Sequence, residues 1–277
     1  MPEGDATFRA ARTLHRALAG RTVERFDAVL PHLTRIDEDA PLAGRTVERV
    51  RAVGKHLLIE FSGGLVLRTH MRMNGSWHVY RPGERWRRQR SQMRLAIQTD
   101  AFTAVAFNVP VAEFRPAAEL ERTPALRALG PDLLAEAFDA DAAVARLQRA
   151  REMALADALL DQRLVAGIGN VYKSEVCFLC CIHPFTPVSR VDIARLRQLL
   201  STARRLLQAN VHDGASGRIV TRRTLRSAAG RASPGEERWV YGRAGQPCHR
   251  CGATIVQERR GEDARSTYWC PACQISS

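Results

Sequence analysis

No run of about 18 consecutive apolar residues occurs in the 277-residue chain, so nothing in it is long and oily enough to cross a bilayer as a helix. The opening Met1-Pro2-Glu3-Gly4-Asp5 lacks the basic start and apolar stretch of a signal peptide and carries two acids instead. The expected location is the cytosol. Acid is the scarce charge: 29 Asp and Glu stand against 42 Lys and Arg, which leaves a formal charge of +13 and a pI near 10.4. Such an excess points to a polyanionic partner, and nucleic acid fits best because neutralised phosphates release condensed counterions. An even cysteine count is also missing, for there are seven. Four of them form two Cys-x-x-Cys pairs, which in a reducing compartment read as metal ligands rather than disulfides. The other three, Cys177, Cys180 and Cys181, lie in an apolar helical stretch and read as core packing.

The length suits one large domain or two ordinary ones, and the patterning changes partway along. Phe8, Ala11, Leu14 and Leu18 recur at three- and four-residue steps, which predicts a helix from about residue 4 to 19. From Thr22 to about Asn108, short apolar segments such as His56–Phe61, Leu65–Leu67 and Leu95–Ile97 are separated by Gly, Pro and charged turns, the pattern of a β-sandwich or barrel. A polar, proline-flanked stretch from Pro116 to Thr123 follows, and the domain boundary is expected there. Beyond it, helical spacing covers 141–149, 151–163, 170–181 and 190–210. Residues 212–238 are rich in Gly, Ser and Arg and predict a basic loop, mobile or DNA-facing.

Three motifs carry chemistry. Cys248, Cys251, Cys270 and Cys273 have the spacing of a four-thiolate structural zinc site. Between the pairs, Thr254–Glu258 and Ser266–Trp269 alternate like two strands, so the zinc would hold a hairpin whose tip bears Arg259, Arg260 and Arg265. Such a ribbon can enter a DNA groove, or it can simply staple a small fold. Gly167-Ile168-Gly169-Asn170 joins two helical stretches; its glycines allow close approach of a phosphate to the helix N-terminus, with Asn170 and Lys173 as further donors. Pro2, once Met1 is removed, offers a secondary amine able to form an iminium with a sugar carbon, and Glu3 beside it is placed to move protons. Pro and acids are also favoured at any helix start.

Together, Met1-Pro2-Glu3-Gly4-Asp5, Gly54-Lys55-His56-Leu57, Gly167-Ile168-Gly169-Asn170 and the cysteine hairpin resemble the formamidopyrimidine-DNA glycosylase and endonuclease VIII family over essentially the whole chain. The resemblance implies an α+β multidomain fold: an N-terminal helix plus β-sandwich over 1–115, a helix-two-turns-helix domain over 124–238, and a zinc-binding β-hairpin over 239–277. It implies a bifunctional DNA glycosylase and AP lyase acting on damaged double-stranded DNA as a monomer, with one structural Zn2+. Pro2 is then similar to the family's Schiff-base nucleophile and Glu3 to its general acid. Lys55 and Arg265 resemble the phosphate-gripping residues that assist β- and δ-elimination, and Asn170 the phosphate-binding Asn of the helical turn. His70–Trp77 resembles the void-filling loop, with Met73 as wedge and Arg72 and Asn74 facing the orphaned base. One departure is Ala6, where many members keep a second acid. The opening Pro-Glu-Gly-Asp and Trp77 look more like the endonuclease VIII branch, which prefers oxidised pyrimidines. An oxidised-purine enzyme of the same family, or a non-catalytic zinc-ribbon nucleic-acid-binding protein, are the competing readings.

Overall fold

The computed structural model describes residues 2–120, 122–213, 219–222, 237–260 and 264–275, and contacts divide the chain into two compact units, Met1–Ala128 and Leu129–Ser277. The first unit contains α1 (Gly4–Leu18), β1 (Arg25–Ala28), α2 (Pro31–Asp39), β2 (Val47–Val53), β3 (His56–Phe61), β4 (Leu65–His70) and β5 (Ser76–Tyr80). It continues with β6 (Met93–Gln98), β7 (Thr103–Phe107), β8 (Val111–Pro116) and two single turns of helix, α3 (Ala117–Leu120) and α4 (Pro124–Arg127). Two antiparallel four-stranded sheets result, in the orders β1-β6-β7-β5 and β2-β3-β4-β8. Alternation along the strands sends Val47, Leu57, Ile59 and Leu67 from one sheet and Leu95, Ile97, Ala104 and Ala106 from the other into a shared core. Helix α1 adds Ala11, Leu14 and Leu18 to that core, the two leucines contributing on the order of 1.5–3 kcal/mol each as fully buried large side chains. The β-sandwich is thus present. The stretch from Thr22 to Asn108 is not all strand, however: Pro31 starts α2, whose Leu33 is fully buried and whose Ile36 packs half-buried against the same core.

The second unit contains α5 (Ala140–Arg149), α6 (Leu155–Leu160), α7 (Asn170–Leu179), α8 (Ile193–Asp213) and the antiparallel pair β9 (Val256–Arg260) and β10 (Arg265–Trp269). Leu147, Leu159, Tyr172, Val176, Leu199 and Leu207 meet in its helical core. The helix expected over 151–163 is only α6, because the amides of Leu155 and Ala156 are taken by the carbonyls of Thr186 and Pro184 instead of continuing a helix backwards. Cys177 and Cys180 are core residues as expected, and burial pushes the Cys177 thiol up to about 12, which makes it inert at neutral pH. Cys181 departs from that expectation: it is exposed, sits at φ 52°, and its Sγ lies 2.9 Å from an Arg250 guanidinium nitrogen. Most of the basic segment 212–238 lies outside the described residues. Among the described residues, no helix is long and apolar enough to cross a membrane.

Candidate functional site

In the first unit the chemistry-bearing residues cluster at the start of α1 and at one end of the sheet β2-β3-β4-β8. Pro2 is partly buried in the residue pair that leads into α1. Glu3 is the helix N-cap, in extended conformation and fully enclosed, and its carbonyl accepts the amide of Thr7 at 3.0 Å. The positive end of the helix dipole therefore faces the Pro2–Glu3 pair. Asp5, one turn into the helix, is also fully buried. Arg9 donates to its Oδ2 at 2.7 Å, and its Oδ1 has no hydrogen-bond partner among the described residues. Sequence reasoning noted the missing acid at Ala6 but not this buried one; the Asp5–Arg9 spacing of four was the available signal.

Lys55 sits in the two-residue hairpin Gly54-Lys55 between β2 and β3, where Gly54 supplies the positive φ of 57°. The register pairs His56 with His70, so this hairpin and the 71–75 turn emerge at the same end of the sheet. Met71 is buried in the core, whereas Met73 is 61% exposed. The turn is closed by the Gly75 amide donating to the Met71 carbonyl at 2.9 Å. A Cβ on Gly75 would lie 2.4 Å from that same oxygen, so no other residue fits without moving the backbone. Arg72, at φ 50°, and Asn74 flank Met73 and are exposed. A large apolar side chain is thus held out of the core on a fixed turn.

Beneath that turn runs a polar chain that sequence reasoning did not assign. Arg68, almost fully buried, donates from Nε to Glu113 at 2.8 Å and lies 2.9 Å from Nδ1 of His56, whose ring meets His70 edge-on at 4.9 Å. Burial, then the neighbouring His70, Arg68 and Arg72, lowers His56 to about 3. Burial, then Arg72, Lys55 and Arg68, lowers His70 to about 4. Both imidazoles are neutral at working pH. His70 Nδ1 accepts the Arg72 amide at 3.1 Å, which leaves its proton on Nε2.

The second unit builds its own constellation on α7. Gly167 turns the chain at φ 106°, Gln162 bonds the Gly167 amide and the Ile168 carbonyl, and Gly169 caps α7. Asn170 opens the helix; its Nδ2 donates to the Ser266 carbonyl at 2.9 Å, and its buried Oδ1 has no hydrogen-bond partner among the described residues. Ser266 follows Arg265, so Asn170 and Arg265 are brought side by side across 95 residues of chain separation (265 − 170). The expectation for Lys173 as a phosphate-facing cation is corrected here. It is 1% exposed, and its ammonium donates to Thr267 Oγ1 at 2.8 Å, so it fastens α7 to β10 instead of facing solvent. The arginines expected at the hairpin tip also divide: Arg260 lies over the Phe185 ring at 4.5 Å and bonds Glu258, while Arg265 opens β10 half-buried. Glu175 is another residue whose role the sequence did not reveal. Fully buried, it accepts the amides of Trp239, Val240 and Tyr241 at 2.8–2.9 Å and the Thr221 hydroxyl.

Four Sγ atoms, of Cys248, Cys251, Cys270 and Cys273, lie within 4.8 Å of one another, with Cys251 3.5 Å from both Cys270 and Cys273. Tetrahedral thiolates around zinc stand about 3.8 Å apart, so the donor set and spacing fit one structural zinc. Gln274 reinforces the site, accepting the Cys270 amide at 2.9 Å and donating to the Ile182 carbonyl at 2.8 Å.

Residues 1–110 match the formamidopyrimidine-DNA glycosylase N-terminal domain, residues 129–221 the formamidopyrimidine-DNA glycosylase H2TH domain, and residues 245–275 the zinc finger found in FPG and IleRS. The chain belongs to the formamidopyrimidine-DNA glycosylase family. It is 43% identical to a probable endonuclease 8 2 of Streptomyces coelicolor, covering 99% of this chain and 94% of that one. It is 40% identical to endonuclease 8 2 of Mycobacterium tuberculosis over 99% of this chain and 100% of that protein. The crystal structure of Lactococcus lactis formamidopyrimidine-DNA glycosylase bound to AP-site DNA superposes with a TM-score of 0.82 at 23% identity, covering 99% of this chain and 100% of that one. The fold is therefore the family's, with β-sandwich, helix-two-turns-helix region and zinc hairpin.

Proposed function

We propose that this protein is a bifunctional DNA glycosylase and AP lyase of base excision repair that removes oxidised bases, pyrimidines in preference, using the Pro2 amine as nucleophile. The observation that carries the reading is the placement of Pro2 immediately before the N-terminus of α1, with Glu3 enclosed as the N-cap. In this reaction the amine attacks C1′ of the damaged nucleotide and the base departs with a proton relayed by Glu3. The C1′–O4′ bond then breaks as O4′ takes a proton, giving the iminium, which acidifies the C2′ proton; its removal expels the 3′ phosphate, and a second elimination expels the 5′ phosphate. Lys55, and Arg265 beside Asn170, hold the phosphates that must accept charge as they leave. Met73 fills the stack once the nucleotide is turned out, at a cost of a few kcal/mol of lost stacking. The zinc serves to hold the hairpin that presents Arg265. Every residue assigned to the chemistry comes from one chain, so no second copy is required. The preference for pyrimidines rests on the Pro2-Glu3-Gly4-Asp5 opening and Trp77, and on the similarity to endonuclease 8 2 proteins.

Borohydride added during turnover should trap protein and DNA as one species whose cross-linked peptide begins at Pro2. Protein shown by mass to start at Pro2 that nicks abasic DNA without ever trapping, or a Met1 form that traps equally well, would place the nucleophile elsewhere. Comparing excision of thymine glycol and 5-hydroxyuracil with that of 8-oxoguanine tests the lesion class.

A further inference from the structure

The loop between β5 and β6 carries Arg81, Arg85, Arg87, Arg88 and Arg90 within ten residues, with Glu84 as the single acid. All five arginines are exposed. Their backbone is nonetheless anchored. The Arg87 amide donates to the Tyr80 hydroxyl at 3.1 Å, and Glu84 Oε2 accepts the Arg81 amide at 3.0 Å. Trp86 stacks on Tyr80 at 6.2 Å, meets Phe107 edge-on at 5.6 Å, and has the Arg90 guanidinium over its ring at 5.3 Å. This aromatic cluster sits on the sheet face opposite the sandwich core, and residues 84–90 line an open hollow of about 500 Å³. Among the described residues, no carboxylate pairs with the guanidinium of Arg85, Arg87 or Arg88.

A merely solvated loop does not need a hydrophobic anchor, nor does it gain from crowding unneutralised guanidiniums, which repel one another. Arginine forks held at fixed points match phosphate oxygens, and successive phosphates along a strand supply the spaced negative charges that such an array lacks. We propose that the 81–90 loop is a second, sequence-independent grip on the phosphates of the DNA flanking the lesion. This rests on the function proposed above. Strand β5 links the 71–75 turn to this loop, and its five residues at about 3.4 Å each set the two roughly 17 Å apart. That span corresponds to about five base steps along one strand. The grip therefore acts on duplex outside the lesion, adding affinity and residence without touching the reacting nucleotide.

The test uses the zinc-loaded full chain and the triple variant Arg85→Gln, Arg87→Gln, Arg88→Gln. Affinity for an undamaged 25-base-pair duplex is measured by fluorescence anisotropy against KCl concentration. Each lost duplex phosphate contact lowers the salt slope by about 0.9, so three lower it by about 2.7. Between 50 and 200 mM KCl the wild type should accordingly lose about 40-fold more affinity than the variant. Nicking of an abasic site at saturating DNA should be unchanged, and the corresponding triple lysine variant should restore the slope. A 25-nucleotide single strand serves as a second arm; a drop confined to it would overturn the duplex assignment. An unchanged slope on both DNAs overturns the grip and leaves the loop to another polyanion. Equal losses in the glutamine and lysine variants, with a lowered melting temperature, overturn it in favour of packing. If wild-type protein binds duplex with the steep slope but neither nicks nor traps, the proposed function fails while the grip stands.

Discussion

At the scale of single residues, burial decides which charges are available for chemistry. His56 and His70 are both held far below the ordinary value of 6.5 in the folded protein, to about 3 and about 4. The unfolded chain therefore binds more protons than the folded one between those limits. The stability these two neutral imidazoles contribute is fully present above pH 6.5 and is lost as pH falls toward 4 and then 3. Each histidine contributes a slope of up to about 1.4 kcal/mol per pH unit. Urea midpoints measured from pH 7 to pH 4 should fall more steeply in the wild type than in His56→Gln; parallel curves would show that His56 does not titrate there. Lys173→Met leaves the Thr267 hydroxyl without its donor and removes one of the ties between α7 and β10. It should cost on the order of 1–3 kcal/mol of stability. If it instead weakened DNA binding with no change in melting, the buried placement would not describe the working protein.

At the scale of elements, the 71–75 turn is sensitive to a single added atom. Gly75→Ala places a methyl 2.4 Å from the Met71 carbonyl, so the turn must open and Met73 must move. Met73→Ala keeps the turn and removes only the side chain. Both variants should lose excision of a paired damaged base more than cleavage of a preformed abasic site, because only the former must hold open a stack. Gly75→Ala should additionally lower the melting temperature. Equal losses of Met73→Ala on both substrates would make Met73 a structural residue. Arg265→Ala should shift products from doubly toward singly eliminated ends, since alanine cannot replace a guanidinium at the phosphate; an unchanged ratio on a sequencing gel would remove Arg265 from the reaction.

For the whole molecule, the zinc hairpin is the part whose stability is not its own. The small cluster around it, Val240, Cys248, Ile255 and Cys270 with Phe178, is too little core to hold two five-residue strands by burial alone. Chelation should therefore release the hairpin and with it the partners of Asn170 and Lys173. Duplex affinity should drop about tenfold or more, the equivalent of one lost charge-assisted contact. Elemental analysis finding less than about half an equivalent of zinc in protein with full activity would contradict this.

The sequence by itself determined what depends on covalent order and local period. Cysteine spacing specified a four-thiolate site, the three- and four-residue recurrence of Ala11, Leu14 and Leu18 specified α1, and a proline at position 2 specified the residue whose nitrogen the proposed reaction needs once Met1 is removed. The motifs placed the chain in its family. Tertiary structure alone decided which polar residues are enclosed. Lys173 reads as a free cation until Thr267, 94 positions along, is brought against it (267 − 173). Asp5 reads as a helix-start acid until packing buries it, and His56 and His70 read as ordinary strand residues until register sets one against the other. The helix α2 was hidden for a related reason: in nine residues it offers the core only Leu33 and the half-buried Ile36, a single turn of apolar period, and it exists because Pro31 starts it and the sandwich accepts those two side chains. Burial and long-range pairing are properties of the assembled chain, and no window of local sequence contains them.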